Sequence, residues 1–176
     1  SEIEKVVKDV DKLLKELEDH TRKSLEDSKR LLDELRKHTE DTSREVKELL
    51  ERLEEVIRRN KEMKEELRRI AKKIDEDIKR LVERNKKIAD DIRREDKKLL
   101  DRNRELVDRI REEIDRRIRS KEDADRLRER LDRILEESER LSRETKEELD
   151  RLLEDSKRKI RELEERLKKL LDDAER

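Results

Sequence analysis

Along the first third of the chain, one column of positions reads Ile3, Val7, Val10, Leu14, Leu17, Thr21, Leu25, Ser28, Leu32, Leu35, Thr39, Ser43, Val46, Leu50, Leu53 and Ile57. The steps run 4, 3, 4, 3, 4 and then start over, which is the spacing that keeps side chains on one face of an α-helix. A second column runs through Ile74, Ile78, Leu81, Asn85, Ile88, Ile92, Asp96, Leu99, Asn103, Leu106 and Ile110. A third runs through Ser138, Ser142, Thr145, Leu149, Leu152, Ser156, Ile160, Leu163, Leu167, Leu170 and Ala174. Each cycle closes after eighteen residues, which is five turns at the 3.6 residues of an unstrained helix. A heptad repeat would impose a left-handed supercoil and an eleven-residue repeat a right-handed one, so this period predicts nearly straight, untwisted packing.

Cap signals place the ends. Ser1-Glu2-Ile3-Glu4 spells a capping box, Asn60 precedes Lys61-Glu62, and Ser120 stands three residues before Asp123. These predict helices over about 2–58, 61–118 and 121–175, each about 85 Å long, with turns near Arg58-Arg59 and Ile118-Arg119. Short turns make successive helices antiparallel. The predicted fold is all-α: a single-chain, up-down-up three-helix bundle forming one domain over 1–176. Thr42-Ser43-Arg44-Glu45 also spells a capping box, but a break there would cut an intact stripe.

Composition sharpens the picture without displacing it. Charged residues make up 62% and apolar residues 28%, with no aromatic, Gly, Pro or Cys. A compact globule with a thick core is excluded. Such polarity would suit disorder, since little apolar surface is available to offset chain entropy; the sustained stripe argues for a bundle of amphipathic helices instead. Without cysteine there is no disulfide framework and no constraint on redox compartment. No apolar run approaches the roughly 18 residues of a membrane span, so a soluble protein, made recombinantly in a cytoplasm, is the expectation. Net charge is −1. Residues 1–60 carry 15 basic and 18 acidic side chains, 61–119 carry 22 and 17, and 120–176 carry 17 and 20. A basic second helix flanked by two acidic ones favours the up-down-up pairing.

Polar residues interrupt all three stripes, and each type returns after eighteen positions: His20-Thr21 with His38-Thr39, Asn85 with Asn103, and Ser138 with Ser156. The antiparallel register predicts that His20 and Thr21 meet Asn103 and Ser138, and that His38 and Thr39 meet Asn85 and Ser156. These two layers would lie about 27 Å apart. A third predicted layer joins Asp96 to Ser28 and Thr145, with Ser24 and Ser142 beside it. Buried polar groups cost free energy unless paired, so three helices contributing at one level point to mutual satisfaction. The predicted role is to fix register: a misplaced layer leaves unsatisfied groups costing roughly 1–3 kcal/mol each.

Sharper chemistry does not assemble. Ser, His and Asp all occur in the stripes, but His20 and Asp96 fall at different levels, and neither an oxyanion donor nor a cleft is evident. The two histidines cannot share a metal across about 27 Å, and neither carries a His-x-x-x-His spacing. The basic residues of the second helix alternate with carboxylates and lack aromatics for base stacking. No catalytic, cofactor-binding or metal site is predicted, and no nucleic-acid, membrane, protein or small-molecule partner. Protonation of His20 and His38 could couple the fold to acid.

The full-length eighteen-residue stripe of Leu, Ile and Val, the surface of Glu, Lys, Arg and Asp, the lack of aromatics and the duplicated His-Thr, Asn and Ser layers have a precedent. Together they resemble de novo designed, parametrically generated untwisted three-helix bundles with buried hydrogen-bond networks, over all 176 residues. The resemblance implies a hyperstable, monomeric structural scaffold, a rigid helical rod with no natural activity, not an enzyme and without cofactor. Designed loops often carry Gly or Pro, and neither is present, which leaves the turn positions loose by several residues. The alternative is a self-associating coiled-coil module, in which chains exchange helices into domain-swapped or oligomeric assemblies.

Overall fold

Ser1 starts the first helix as the sequence predicts: its carbonyl accepts from the Lys5 amide and its hydroxyl from the Glu4 amide at 3.5 Å. The computed structural model describes residues 1–176 and contains α1 (Glu2–Arg59), α2 (Lys64–Arg117) and α3 (Lys121–Glu175), with no strand. Acidic residues occupy the first turn of every helix, Glu2 and Glu4, Glu65 and Glu66, Glu122 and Asp123. Arg58-Arg59 and Arg116-Arg117 occupy the last turns of α1 and α2. Both placements favour the helix dipole. α1 runs unbroken through Thr42, which is buried, so the capping-box match there is not a boundary.

The turns differ in how they are built. Ser120 acts as an N-cap, its hydroxyl accepting from Asp123 N at 3.4 Å and its carbonyl from Ala124 N. Asn60 does not cap α2. Its Oδ1 accepts from Glu62 N at 3.0 Å and its carbonyl from Met63 N, an Asx-type turn that delays the helix to Lys64. Asn serves both roles through the same side-chain oxygen, which is why the sequence placed this start three residues early.

Contacts divide the chain into two compact units. The first comprises Ser1–Leu31 and Asp91–Glu147, the second Leu32–Asp90 and Glu148–Arg176. Each therefore contains part of all three helices. In each, the pairing of α1 with α2 is antiparallel and that of α1 with α3 parallel, as an up-down-up three-helix bundle requires. The core of the first unit is built from Val10, Leu14, Leu17, Leu106, Ile110, Ile114, Leu127 and Leu131. That of the second includes Val46, Leu50, Leu53, Leu67, Ile74, Ile78 and Leu163. The buried face is wider than one column of the pattern: Leu13, Ala89 and Val107 are also buried, because each helix packs against two neighbours. Ile3, the first residue of the predicted stripe, is 64% exposed.

Candidate polar layers

In the first unit, Asn103 projects from α2 between the other two helices. Its Nδ2 donates to Thr21 Oγ1 on α1 at 3.3 Å and to Ser138 Oγ on α3 at 2.9 Å. In the second unit, Asn85 Nδ2 donates to Thr39 Oγ1 at 3.1 Å and to Ser156 Oγ at 2.7 Å. All six side chains are buried. The geometry follows from valence: a carboxamide carries two N–H donors at a fixed angle, and each goes to a different neighbouring helix. One Asn thereby ties three helices at one level.

His20 and His38 do not enter these bonds. Consecutive helical residues diverge by about 100°, so a helix that turns Thr21 inward aims His20 sideways. The groups that act on His20 are on α2, Lys98, Arg102 and Glu95, with Lys23 on its own helix. Burial lowers the pKa of His20 from its ordinary value, and Arg102 and Lys23 add to this; a bond to the Lys98 backbone and the charge of Glu95 oppose it. His38 is lowered by burial and then by Arg84, against Asp41 and Glu45. In both rings Nε2 is sealed from solvent and without a hydrogen-bond partner, as are Asn85 Oδ1, Asn103 Oδ1 and Ser43 Oγ.

The third predicted layer takes a smaller form. Ser142 Oγ donates to Asp96 Oδ1 at 2.5 Å, and Lys146 Nζ lies 3.1 Å from Oδ2. Asp96 is thus buried, with an ion-pair partner that the sequence reading missed; Lys146 directly follows Thr145, one position off the stripe, and reaches inward with a long side chain. Thr145 donates instead to the Leu141 carbonyl at 2.9 Å, the usual alternative for a helical hydroxyl. Ser24 and Ser28 are buried without joining Asp96.

Around these layers, arginines cross the helix boundaries. Arg130 reaches Asp11 and Glu18, Arg117 reaches Asp9, and Arg128 reaches Asp115 in the first unit. Arg36 to Glu148, Arg84 to Glu34, Arg52 to Glu66 and Arg166 to Glu54 do the same in the second. No three His, Cys, Asp or Glu side chains converge to hold a metal, and no helix is long and apolar enough to cross a membrane.

No protein-family model matches the chain, and neither does any curated protein. Among solved structures, the chain is similar to a protein described as a computationally designed three helix bundle. The two share 15% sequence identity and a TM-score of 0.52, over 98% of this chain and 84% of the other. At that identity the likeness bears on fold, and the fold it shows is a bundle of three long helices.

Proposed function

We propose that the chain is a de novo designed structural scaffold, non-enzymatic and monomeric, whose buried polar layers set helix register and specificity. One observation carries this reading. The same three-helix hydrogen-bond pattern, one Asn donating to one Thr and one Ser, is built twice from residues eighteen apart. A leucine core alone tolerates sliding and added chains, whereas a displaced Asn leaves two buried donors unmet. The fold match to a designed bundle, the even eighteen-residue spacing and the extreme charge content support a designed origin and untwisted, hyperstable packing.

The test replaces both Asn85 and Asn103 by Leu and follows mass by in-line light scattering with chemical denaturation. Unmodified protein is expected at 21.7 kDa. The double variant is expected to keep or gain stability while populating larger species, because the polar penalty against wrong pairings is gone. A double variant that stays cleanly monomeric with an unchanged fold counts against the layers as specificity devices. A doubled mass for the unmodified chain would favour the self-associating module instead.

A further inference from the structure

The rim ion pairs that join α1 to α3 recur at the period of the core, and their polarity alternates. Glu18 on α1 meets Arg130 on α3 at 3.3 Å; eighteen residues on, Arg36 meets Glu148 at 2.7 Å; eighteen further, Glu54 meets Arg166 at 3.2 Å. The α1–α2 seam carries one such reversal. Glu34 meets Arg84 at 3.4 Å, and eighteen residues along α1 Arg52 meets Glu66 at 3.4 Å. On the α1–α3 seam the acid lies on α1, then on α3, then on α1 again.

From this alternation we infer that the rim is a register code, which forbids a second copy of this chain from exchanging helices one repeat out of step. The buried Asn layers cannot forbid such a step. Displacing α3 by eighteen residues brings Ser156 to Thr21, or Ser138 to Thr39, and the same types of residue meet again. Much of the leucine core is equally indifferent, since Leu14, Leu32 and Leu50 succeed one another at the same interval. The rim is not indifferent. One step in one direction sets Glu18 against Glu148 and Arg36 against Arg166; the opposite step sets Arg36 against Arg130 and Glu54 against Glu148. On the other seam the penalty is partial: each direction sets one like pair together, Glu34 against Glu66 or Arg52 against Arg84, beside one opposite pair, Glu16 against Arg84 or Glu34 against Arg102. Like charges within a few Å repel where the native partners attracted.

Within one chain the short turns at 60–63 and 118–120 already hold the helices in step. The code therefore matters between chains, where an opened turn lets α3 of one copy dock on α1 of another. An exchange in step closes a dimer, while an exchange out of step leaves unpaired helix ends and can grow without limit. This inference rests on the scaffold reading only for the monomer as reference state; the Asn variants above test the buried layers and leave the rim untouched.

The experiment erases the alternation while keeping opposite charges at each pair. R36E, E148R, R52E and E66R in the full-length chain place the acid on α1 throughout. After refolding from denaturant at high protein concentration, light scattering should show about tenfold more mass beyond the monomer than the unmodified chain, which corresponds to roughly 1.4 kcal/mol of lost discrimination. Spin labels on exposed Glu26 and Glu139 should then report, beside the native separation, a population displaced along the helix by about 27 Å. The complementary set, E18R, R130E, E54R, R166E, E34R and R84E, erases the code from the other side and decides the matter should the first set not fold. Combining both sets restores alternation in mirror polarity and should restore monomer. Erased chains that refold to a single distance at monomer mass overturn the inference, and so does a combined variant that assembles as readily as the erased ones.

Discussion

Of three equivalent levels, eighteen residues apart on every helix, the first unit holds one apolar and one polar, whereas the second holds only an apolar one. The first unit has Val10, Ile114 and Leu127 at one such level and Ser28, Asp96 and Thr145 at the next, with Ser142 beside them. The second has Val46, Ile78 and Leu163 at its corresponding level, with Ile160 where Ser142 would recur. Identical helical geometry thus accepts either an apolar plug or an Asp–Ser–Lys cluster. The backbone does not demand polarity at that level, so Asp96 marks a place on an otherwise repeating core.

The comparison breaks most visibly in the apolar layers, where the units should behave as equals. Leu14 in the first and Leu50 in the second are both wholly buried and are two repeats apart. Leu14→Ala and Leu50→Ala should each cost about 2–5 kcal/mol, the sum of lost transfer energy and the cavity left behind. Denaturant titrations of the two variants should agree closely. A cost at Leu14 far below that at Leu50 would mean that the repeat equates positions which the packing does not.

A smaller effect of opposite sign is expected from making the first unit resemble the second. Ser28→Val, Asp96→Ile and Ser142→Ile together install the apolar level found at Val46, Ile78 and Ile160. Replacing a buried ion pair by well-packed apolar groups is neutral or stabilising by about 1–4 kcal/mol. Lys146, freed of Asp96, is already more than half exposed and stays solvated. An increase in the denaturation midpoint is the expected reading; a loss greater than about 1 kcal/mol would show the Asp96 cluster to be a net stabiliser rather than a mark.

How far these features are legible in the sequence depends on which dimension of the helix they use. Periodicity along the axis is fully written in the chain, so three helices, their antiparallel order and the levels of Asn103 with Ser138 and of Asn85 with Ser156 all follow from spacing. Rotation about the axis is written less finely. His20 and Thr21 are neighbours in sequence, both polar and both compatible with a layer; a rotation of about 100° decides that the threonine bonds and the histidine faces α2. Hydroxyl groups add a further ambiguity, since Thr145 satisfies itself on its own helix while Ser142 crosses to α2. Lys146 illustrates reach: a position that reads as surface supplies a charge to a buried carboxylate. The rim alternation was present in the sequence but needed the pairing of specific arginines and glutamates to be seen.

The histidines offer the mildest comparison and the one that acid can probe. Both sit below their ordinary pKa, so between that value and the folded one the unfolded chain binds protons that the native chain does not. Stability from each ring is therefore complete above about pH 6.5 and is lost as pH falls through the folded value. The effect should be smaller than those above, because each ring is only half-buried and a charged imidazole retains part of its water. Their surroundings differ: His20 is supported by the Lys98 backbone and Glu95, His38 by Asp41 and Glu45. Proton resonances of the two rings should titrate with separate midpoints, both under the model-peptide value. His20→Gln and His38→Gln should each remove part of the acid-induced fall in denaturation midpoint, and the double variant should flatten that fall where carboxylates are still ionised. If the double variant loses stability over this range as steeply as the parent, the sealed, unpartnered Nε2 atoms are not where the protein senses acid, and the surface carboxylates carry the response in both units alike.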